Sequence, residues 1–217
     1  VRHERRRGQN AARNTGVAAA RAEVVCCTDG DDVVAPGWLA AMVGHTDDHA
    51  ISTGDLVDLE HPDTTAMRSA PSVQWGVPFA FGGNLAFTRA TFDRVGGFDD
   101  RGVTAGATEW DFSRRAGLLG IPVVAVPGAV VRYRQPHGFS KAFLRQFRRQ
   151  RGVCLLHLDL GPDVIPSRTF TQWRSDWRAT PPLLRSHDPD ARRQAATRLG
   201  NIVGRAWWNL RYRVSFW

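Results

Sequence analysis

The stretch Val24-Val25-Cys26-Cys27-Thr28-Asp29-Gly30-Asp31-Asp32 joins two opposite halves. The first half is β-branched residues and cysteine, the composition of a short buried strand. The second half places three carboxylates within four positions. Carboxylates this close repel one another, so a fold that keeps them ionised supplies a cation, hydrogen-bond donors or open water. Hard divalent ions such as Mg2+ and Mn2+ take oxygen ligands of this kind. The spacing by itself fits both a metal site that holds phosphate and a plain acidic turn. Asp31 is the best metal-ligand candidate, because ligands of open α/β sheets bind beyond the strand ends. Asp29 is placed for a ribose hydroxyl or another ligand. Asp32 either caps the helix that begins near Pro36 or orients a metal's water.

Outward from this stretch, helices and strands alternate, which predicts an α/β domain. Asn10 to Ala22 reads as an alanine-rich helix and Glu23 to Thr28 as the strand. Pro36 opens a helix through Trp38, Leu39, Met42 and Val43. Ile51 to Leu59 reads as one strand, and Glu60 to Trp75 as a long loop. Phe79 to Phe87 is apolar but broken by Gly82-Gly83, a sign of close backbone approach or unusual φ. Thr88 caps a short helix carrying Phe92, and Val95-Gly96-Gly97-Phe98-Asp99 is a turn with an apolar anchor. Thr108 is the expected N-cap of a helix from Glu109 to Leu119, ended by Gly120. Short strands follow at Ile121–Val126 and Ala129–Tyr133, then a basic helix over Phe139–Leu158. The chain from Pro162 to about Pro189 reads as irregular. A last helix runs from Asp190 to about Phe216, with Ala195, Leu199, Ile202, Val203, Ala206, Trp207 and Leu210 as its apolar stripe. The expected organisation is a catalytic domain over residues 1–160 and a linker with a basic amphipathic helical tail over 161–217.

Composition narrows the classes. The 217 residues suffice for one α/β domain with a real core. The net charge of +8, carried mostly by arginine, suits nucleic acid, anionic lipid or a phosphorylated substrate. Nothing but that charge favours nucleic acid, since no recognition module is present, and no nucleic-acid partner is expected. Cys26, Cys27 and Cys154 read as buried free thiols in a reducing compartment, and no CxxC zinc pattern exists. No apolar run is long enough to span a bilayer. The expected location is the cytoplasm, with the inner face of the cell membrane as the place where a basic tail would act.

A second acidic site lies at Glu109 and Asp111. Two apart on a helix, they do not share a face, so one can project into a cleft while the other holds the helix start or a nearby donor. A carboxylate beside an acceptor hydroxyl can remove its proton during attack. His137 is either a metal ligand or phosphate contact, or a solvated loop histidine. Arg145, Arg148 and Arg149 either bind diphosphate or form the solvated face of a helix. Trp38, Trp75 and Trp110 are core or cleft-wall residues, Trp75 and Trp110 being the candidates for the acceptor side.

Taken together, the segments resemble glycosyltransferase family 2, with its GT-A fold. The resemblance runs through Ala12-Arg13-Asn14-Thr15-Gly16, Thr28 to Asp32, Gly82-Gly83-Asn84 with Arg89, Val95 to Asp99, and Thr108-Glu109-Trp110-Asp111. Each piece is short; their order and spacing over residues 10–135 carry the signal. The resemblance implies a mixed sheet flanked by helices, with a C-terminal helical extension. It implies that Asp29 and Asp31 form the donor site, Asp31 coordinating Mn2+ or Mg2+ on the diphosphate of a nucleotide sugar. Gly82, Gly83 and Asn84 would line the cleft, and Arg13 with Arg145 and Arg148 would steady phosphates. The family's catalytic aspartate falls on Glu109, with Asp111 at the last acidic position. The family's first strands and nucleotide-binding loop have no counterpart after Val1, so the chain is expected to be incomplete at its N-terminus. The expected function is inverting transfer of a hexosyl unit to a hydroxyl of a glycan, lipid-linked or cell-envelope acceptor. The alternative is a non-catalytic GT-A-like protein that binds a glycan or a partner.

Overall fold

The structure is a computed structural model that describes residues 3–6, 8–60, 70–100, 107–135, 138–166 and 170–214. The chain divides into two units, one of residues 1–102 and 108–135, the other of residues 103–107 and 136–217.

The first unit is mixed α/β. It opens with helix α1 (Gln9–Ala19), strand β1 (Val24–Cys27), a two-residue strand β2 (Val33–Val34) and helix α2 (Trp38–His45). Then come β3 (Ile51–Thr53), β4 (Leu56–Asp58), β5 (Ser72–Gln74), β6 (Val77–Phe79) and β7 (Leu85–Thr88). Helices α3 (Arg89–Val95) and α4 (Thr108–Leu118) and strands β8 (Val123–Ala125) and β9 (Val131–Tyr133) complete it. One sheet has the order β1-β7-β3-β8, with β7 antiparallel to both neighbours and β3 parallel to β8. A second has the order β2-β9-β4, antiparallel then parallel. Beneath the first sheet Phe87, Phe98 and Phe112 are fully buried, with ring centroids 4.6 to 6.1 Å apart. Each such side chain stabilises the fold by about 1.5–3 kcal/mol.

Several elements depart from the sequence expectation, each for a local reason. The strand expected over Ile51–Leu59 is two, because the chain changes sheets at Gly54-Asp55. A Cβ on Gly54 would sit 1.7 Å from the Ala129 carbonyl oxygen, so the two backbones meet where only glycine fits. The loop expected up to Trp75 contains β5, paired with β6 through a two-residue turn in which Trp75 (φ 51°) and Gly76 (φ 75°) are both left-handed. A bulky residue at positive φ carries no hairpin signal in sequence. Thr88 caps α3 as expected, its hydroxyl accepting from the Thr91 amide at 3.1 Å. Thr108 does not cap α4: the helix already includes it, and its buried hydroxyl has no hydrogen bond among the described residues.

The second unit is helical: α5 (Phe139–Leu160), α6 (Phe170–Arg185) and α7 (Pro189–Tyr212). The region expected to be irregular is largely α6, which carries Pro181 and Pro182 in its last turn and a half. Two prolines read as a stop signal, but they remove amide donors only near the helix end, and the Thr180 hydroxyl donates to the Asp176 carbonyl at 2.7 Å. α7 is capped by the Asp188 carboxylate, with Pro189 following at the first position. Its buried side is only part of the stripe read from sequence, Ala195 and Ile202 being buried. Gly200 and Gly204 lie against α5, while Val203, Trp207 and Leu210 are exposed.

Candidate functional site

The aspartate cluster is a tight turn between β1 and β2. The Asp32 amide donates to the Asp29 carbonyl at 3.2 Å, which folds the two side chains back toward each other. Its exit is pinned because β2 pairs with β9, and the Arg134 amide donates to Asp32 Oδ1 at 2.9 Å. Asp29 Oδ2 and Asp32 Oδ2 each lie 3.1 Å from the point where a Cβ on Gly83 would stand, so both carboxylates converge on that glycine. Asp31 is exposed, and its carbonyl accepts from Arg134 Nε at 3.1 Å.

The other wall comes from α1 and α4. Arg13 projects from α1, 11% exposed, and donates from Nη1 to Glu109 Oε1 at 2.8 Å while Nη2 lies 3.6 Å from Asp29 Oδ1. One guanidinium therefore bridges the aspartate turn and the first turn of α4. Gly82 makes room for this bridge: a Cβ there would fall 1.9 Å from Glu109 Oε1 and 2.5 Å from Arg13 Nη2. The close approach expected of the glycine pair is thus approach by charged side chains. α1 is itself fixed by Asn14, whose amide accepts from the Phe98 N–H at 3.0 Å and donates to the Phe98 carbonyl at 2.8 Å. Arg89 donates to the Val17 and Ala20 carbonyls at the end of α1.

Within the first unit the structure brings Arg13, Asp29, Gly82, Gly83 and Glu109 together and gives Asn84, Trp75, Trp110 and Asp111 other roles. Asn84 is fully buried. Its amide oxygen accepts from Trp38 Nε1 at 2.8 Å, and its nitrogen donates to the Asp55 and Ala129 carbonyls at 2.9 and 2.8 Å. Every polar atom of that side chain serves the fold beneath the glycines. Asp111 is buried and accepts from Arg115 Nε at 2.9 Å. Trp110 is buried, donates to the Gln74 carbonyl at 2.9 Å, and packs edge-on against Trp75 with centroids 5.1 Å apart. That pair fastens the β5–β6 hairpin to α4. Arg145 and Arg148 are exposed on α5, in the helical unit. His137 lies outside the described residues. Asp32 and Arg134 are the residues that sequence reasoning undervalued. The adjacency of Asp32 to Asp31 hinted at the first, but Arg134 gave no signal because it arrives from a strand 102 residues later.

Burial, the main influence, raises the Asp32 carboxyl above the usual carboxylate range, and the neighbouring Asp29 and Asp31 charges add to it. Its buried Oδ2 has no hydrogen bond among the described residues. No group of three His, Cys, Asp or Glu side chains among the described residues is arranged to hold a metal. Divalent ions that serve diphosphates, however, take only one or two carboxylates from the protein and the rest from phosphate and water. The unsatisfied Asp32 oxygen beside that of Asp29 fits such an ion.

Residues 1–98 match the family model described as Glycosyl transferase family 2. No curated protein matches the chain. Among solved structures, the whole chain aligns with a crystal structure of GalNAc-T7 with UDP, GalNAc and Mn2+, at 15% identity and a TM-score of 0.51. The chain spans about half of that protein, 46% of its length. The fold is that of a GT-A type glycosyltransferase, and the first 98 residues are similar in sequence to glycosyl transferase family 2. Arg13, the aspartate turn and the glycine pair all fall inside the matched segment; Glu109 falls after it.

Proposed function

We propose that this chain is part of an inverting glycosyltransferase that moves a hexosyl unit from a nucleotide diphosphate sugar to a hydroxyl of a glycan or lipid-linked acceptor. The observation that carries this is the convergence of Arg13, Asp29, Asp32 and Glu109 on Gly82-Gly83. The glycines leave the room in which these side chains meet. The aspartate turn supplies hard oxygens on one side, and a carboxylate stands ready on the other.

Glu109 is the general base. Arg13 holds its carboxylate by Oε1, which fixes the orientation of the second oxygen. In the reaction that second oxygen takes the acceptor's hydroxyl proton as the hydroxyl attacks the anomeric carbon from the face opposite the leaving diphosphate. The Asp29 and Asp32 oxygens would hold Mn2+ or Mg2+, which when bound offsets charge on the leaving nucleotide diphosphate. Asp111 positions the Val95–Gly97 turn through Arg115 rather than touching substrate. Asn84 supports the glycine floor from below. The chain works in the cytoplasm, at the inner face of the membrane where lipid-linked acceptors reside.

The test is sugar transfer by the full-length protein from UDP-, GDP- and dTDP-sugars with Mn2+ supplied, before and after chelation. Metal-dependent transfer that Glu109→Gln abolishes and Asp111→Asn spares supports the assignment. The reverse pattern assigns the base to Asp111. Binding of a nucleotide sugar with no turnover supports a non-catalytic binding protein instead.

A further inference from the structure

The helical unit carries apolar and basic side chains in an arrangement that its own packing does not use. α7 meets α5 through small residues: a Cβ on Gly200 would fall 2.6 Å from the Phe143 carbonyl oxygen, and one on Gly204 2.9 Å from Phe147 Cα. Trp208 also turns inward, its indole N–H donating to the Phe147 carbonyl at 3.0 Å. This satisfied face leaves Val203, Trp207 and Leu210 on another side of the helix, 39%, 54% and 78% exposed. Their spacing of four and three places them in one line. Single exposed hydrophobics are ordinary, but an aligned triple with tryptophan at its centre marks an interaction surface.

The charge of the same unit says what covers that line. Residues 136–217 hold 15 Lys and Arg against 5 Asp and Glu, while the rest of the chain holds 14 against 16. The whole positive excess of the protein therefore lies in the helical unit. Arginine also shares a side with the apolar line: exposed Arg211 stands four residues beyond Trp207 on α7, and α6 exposes Trp177 and Leu184 as well as Arg178 and Arg185. An aromatic or aliphatic body with a guanidinium next to it matches the boundary between lipid tails and phosphate headgroups. A second copy of the unit would bring like charge to like charge. A nucleic acid would answer the arginines but leave the apolar line in water. Among the described residues no helix is long and apolar enough to cross a membrane, so the contact is one of lying on the surface.

We propose that the helical unit docks on an anionic lipid surface, with Val203, Trp207 and Leu210 of α7 entering the headgroup boundary and the surrounding arginines holding lipid phosphates. This is independent of the transferase chemistry, since none of these residues belongs to the Arg13–Glu109 site.

The experiment is co-sedimentation of the full chain with vesicles of phosphatidylcholine alone and with phosphatidylglycerol added. The protein is expected to bind the phosphatidylglycerol vesicles, more weakly as salt rises, and to leave phosphatidylcholine vesicles in the supernatant. The double variant Trp207→Ser with Leu210→Ser, which keeps the α5 contacts, is expected to lower the partition coefficient about tenfold or more with helicity unchanged. Arg211→Glu, which leaves the apolar line intact, is expected to weaken binding to the anionic vesicles. Failure to sediment with either vesicle overturns the proposal, as does equal binding by the double variant. A wild-type dimer that the double variant makes monomeric also overturns it, assigning the line to a second copy. Binding to a single-stranded oligonucleotide that displaces the vesicles and is weakened by the double variant assigns it to nucleic acid.

Discussion

Arg13 and Glu109, 96 residues apart in the chain, form an ion pair 2.8 Å long against the backbone of Gly82. Both side chains are mostly out of water, at 11% and 19% exposure, so the pair is a fixed part of the site. Two consequences differ in kind. Glu109→Gln keeps the shape and removes the proton acceptor, and turnover in the transfer assay falls by about 10^2–10^4-fold. Arg13→Ala leaves a half-sequestered carboxylate without its donor, lowers stability by about 1–3 kcal/mol in urea unfolding, and reduces turnover as well. Asp111→Asn changes turnover by no more than a few-fold.

Gly82→Ala is a test of the floor. The added methyl would overlap Glu109 Oε1 and Arg13 Nη2. Since Gly82 is not left-handed in φ, the backbone accepts alanine and only the ion pair has to move. Turnover falls by at least about tenfold, because small misplacements of a reacting group are costly. The unfolding midpoint changes much less than in Arg13→Ala. A Gly82→Ala protein with full activity would remove the glycine floor from the site.

Arg115 carries the support role of Asp111. Its guanidinium donates to Asp111 at 2.9 Å, to the Val95 carbonyl at 2.6 Å and to the Gly97 carbonyl at 2.7 Å. Arg115→Ala strips the partners from a buried carboxylate and two turn carbonyls. A loss of about 2–3 kcal/mol in urea unfolding is expected, with turnover per folded molecule retained.

Cys27 gives the fold an alkaline limit. Burial pushes its thiol up to about 11, from an ordinary value of 9.0. Below about pH 9 the thiol is protonated whether the chain is folded or not, and it makes no difference to stability. Between about pH 9 and about pH 11 the unfolded chain releases the proton and the folded one keeps it, so stability falls as pH rises, by up to about 2–3 kcal/mol. Urea midpoints at pH 8 and pH 11 should fall further for the wild-type protein than for Cys27→Ala. At pH 8 a small alkylating reagent leaves Cys27 unmodified until denaturant is added.

Much of the site was legible because its pieces are local. Asp29 to Asp32 sit in consecutive positions, the Gly82-Gly83 break interrupts an apolar run, and Glu109 opens a capped-looking helix. What could not be read was how distant groups complete them. Arg134 reaches Asp32 only because a two-residue β2 pairs with β9, and two valines carry no periodicity. The bond partners of Asn84 lie on three separate segments, so a residue that sequence places in the cleft lies beneath it. In the helical unit, periodicity located α7 and, through Ala195 and Ile202, part of its buried face, but not the glycines packed on α5, which do what large apolar residues usually do.

The sheet change at Gly54 has a consequence for how the first unit comes apart. Thr53 accepts the Val126 amide in one sheet and Asp55 accepts the Val131 amide in the other, while the Asn84 amide holds Asp55 and Ala129 together between them. Neither sheet can open at this point without breaking the other's bonds. The amide protons of Val126 and Val131 should therefore exchange with solvent at the same slow rate, as members of one unfolding event that spans both sheets.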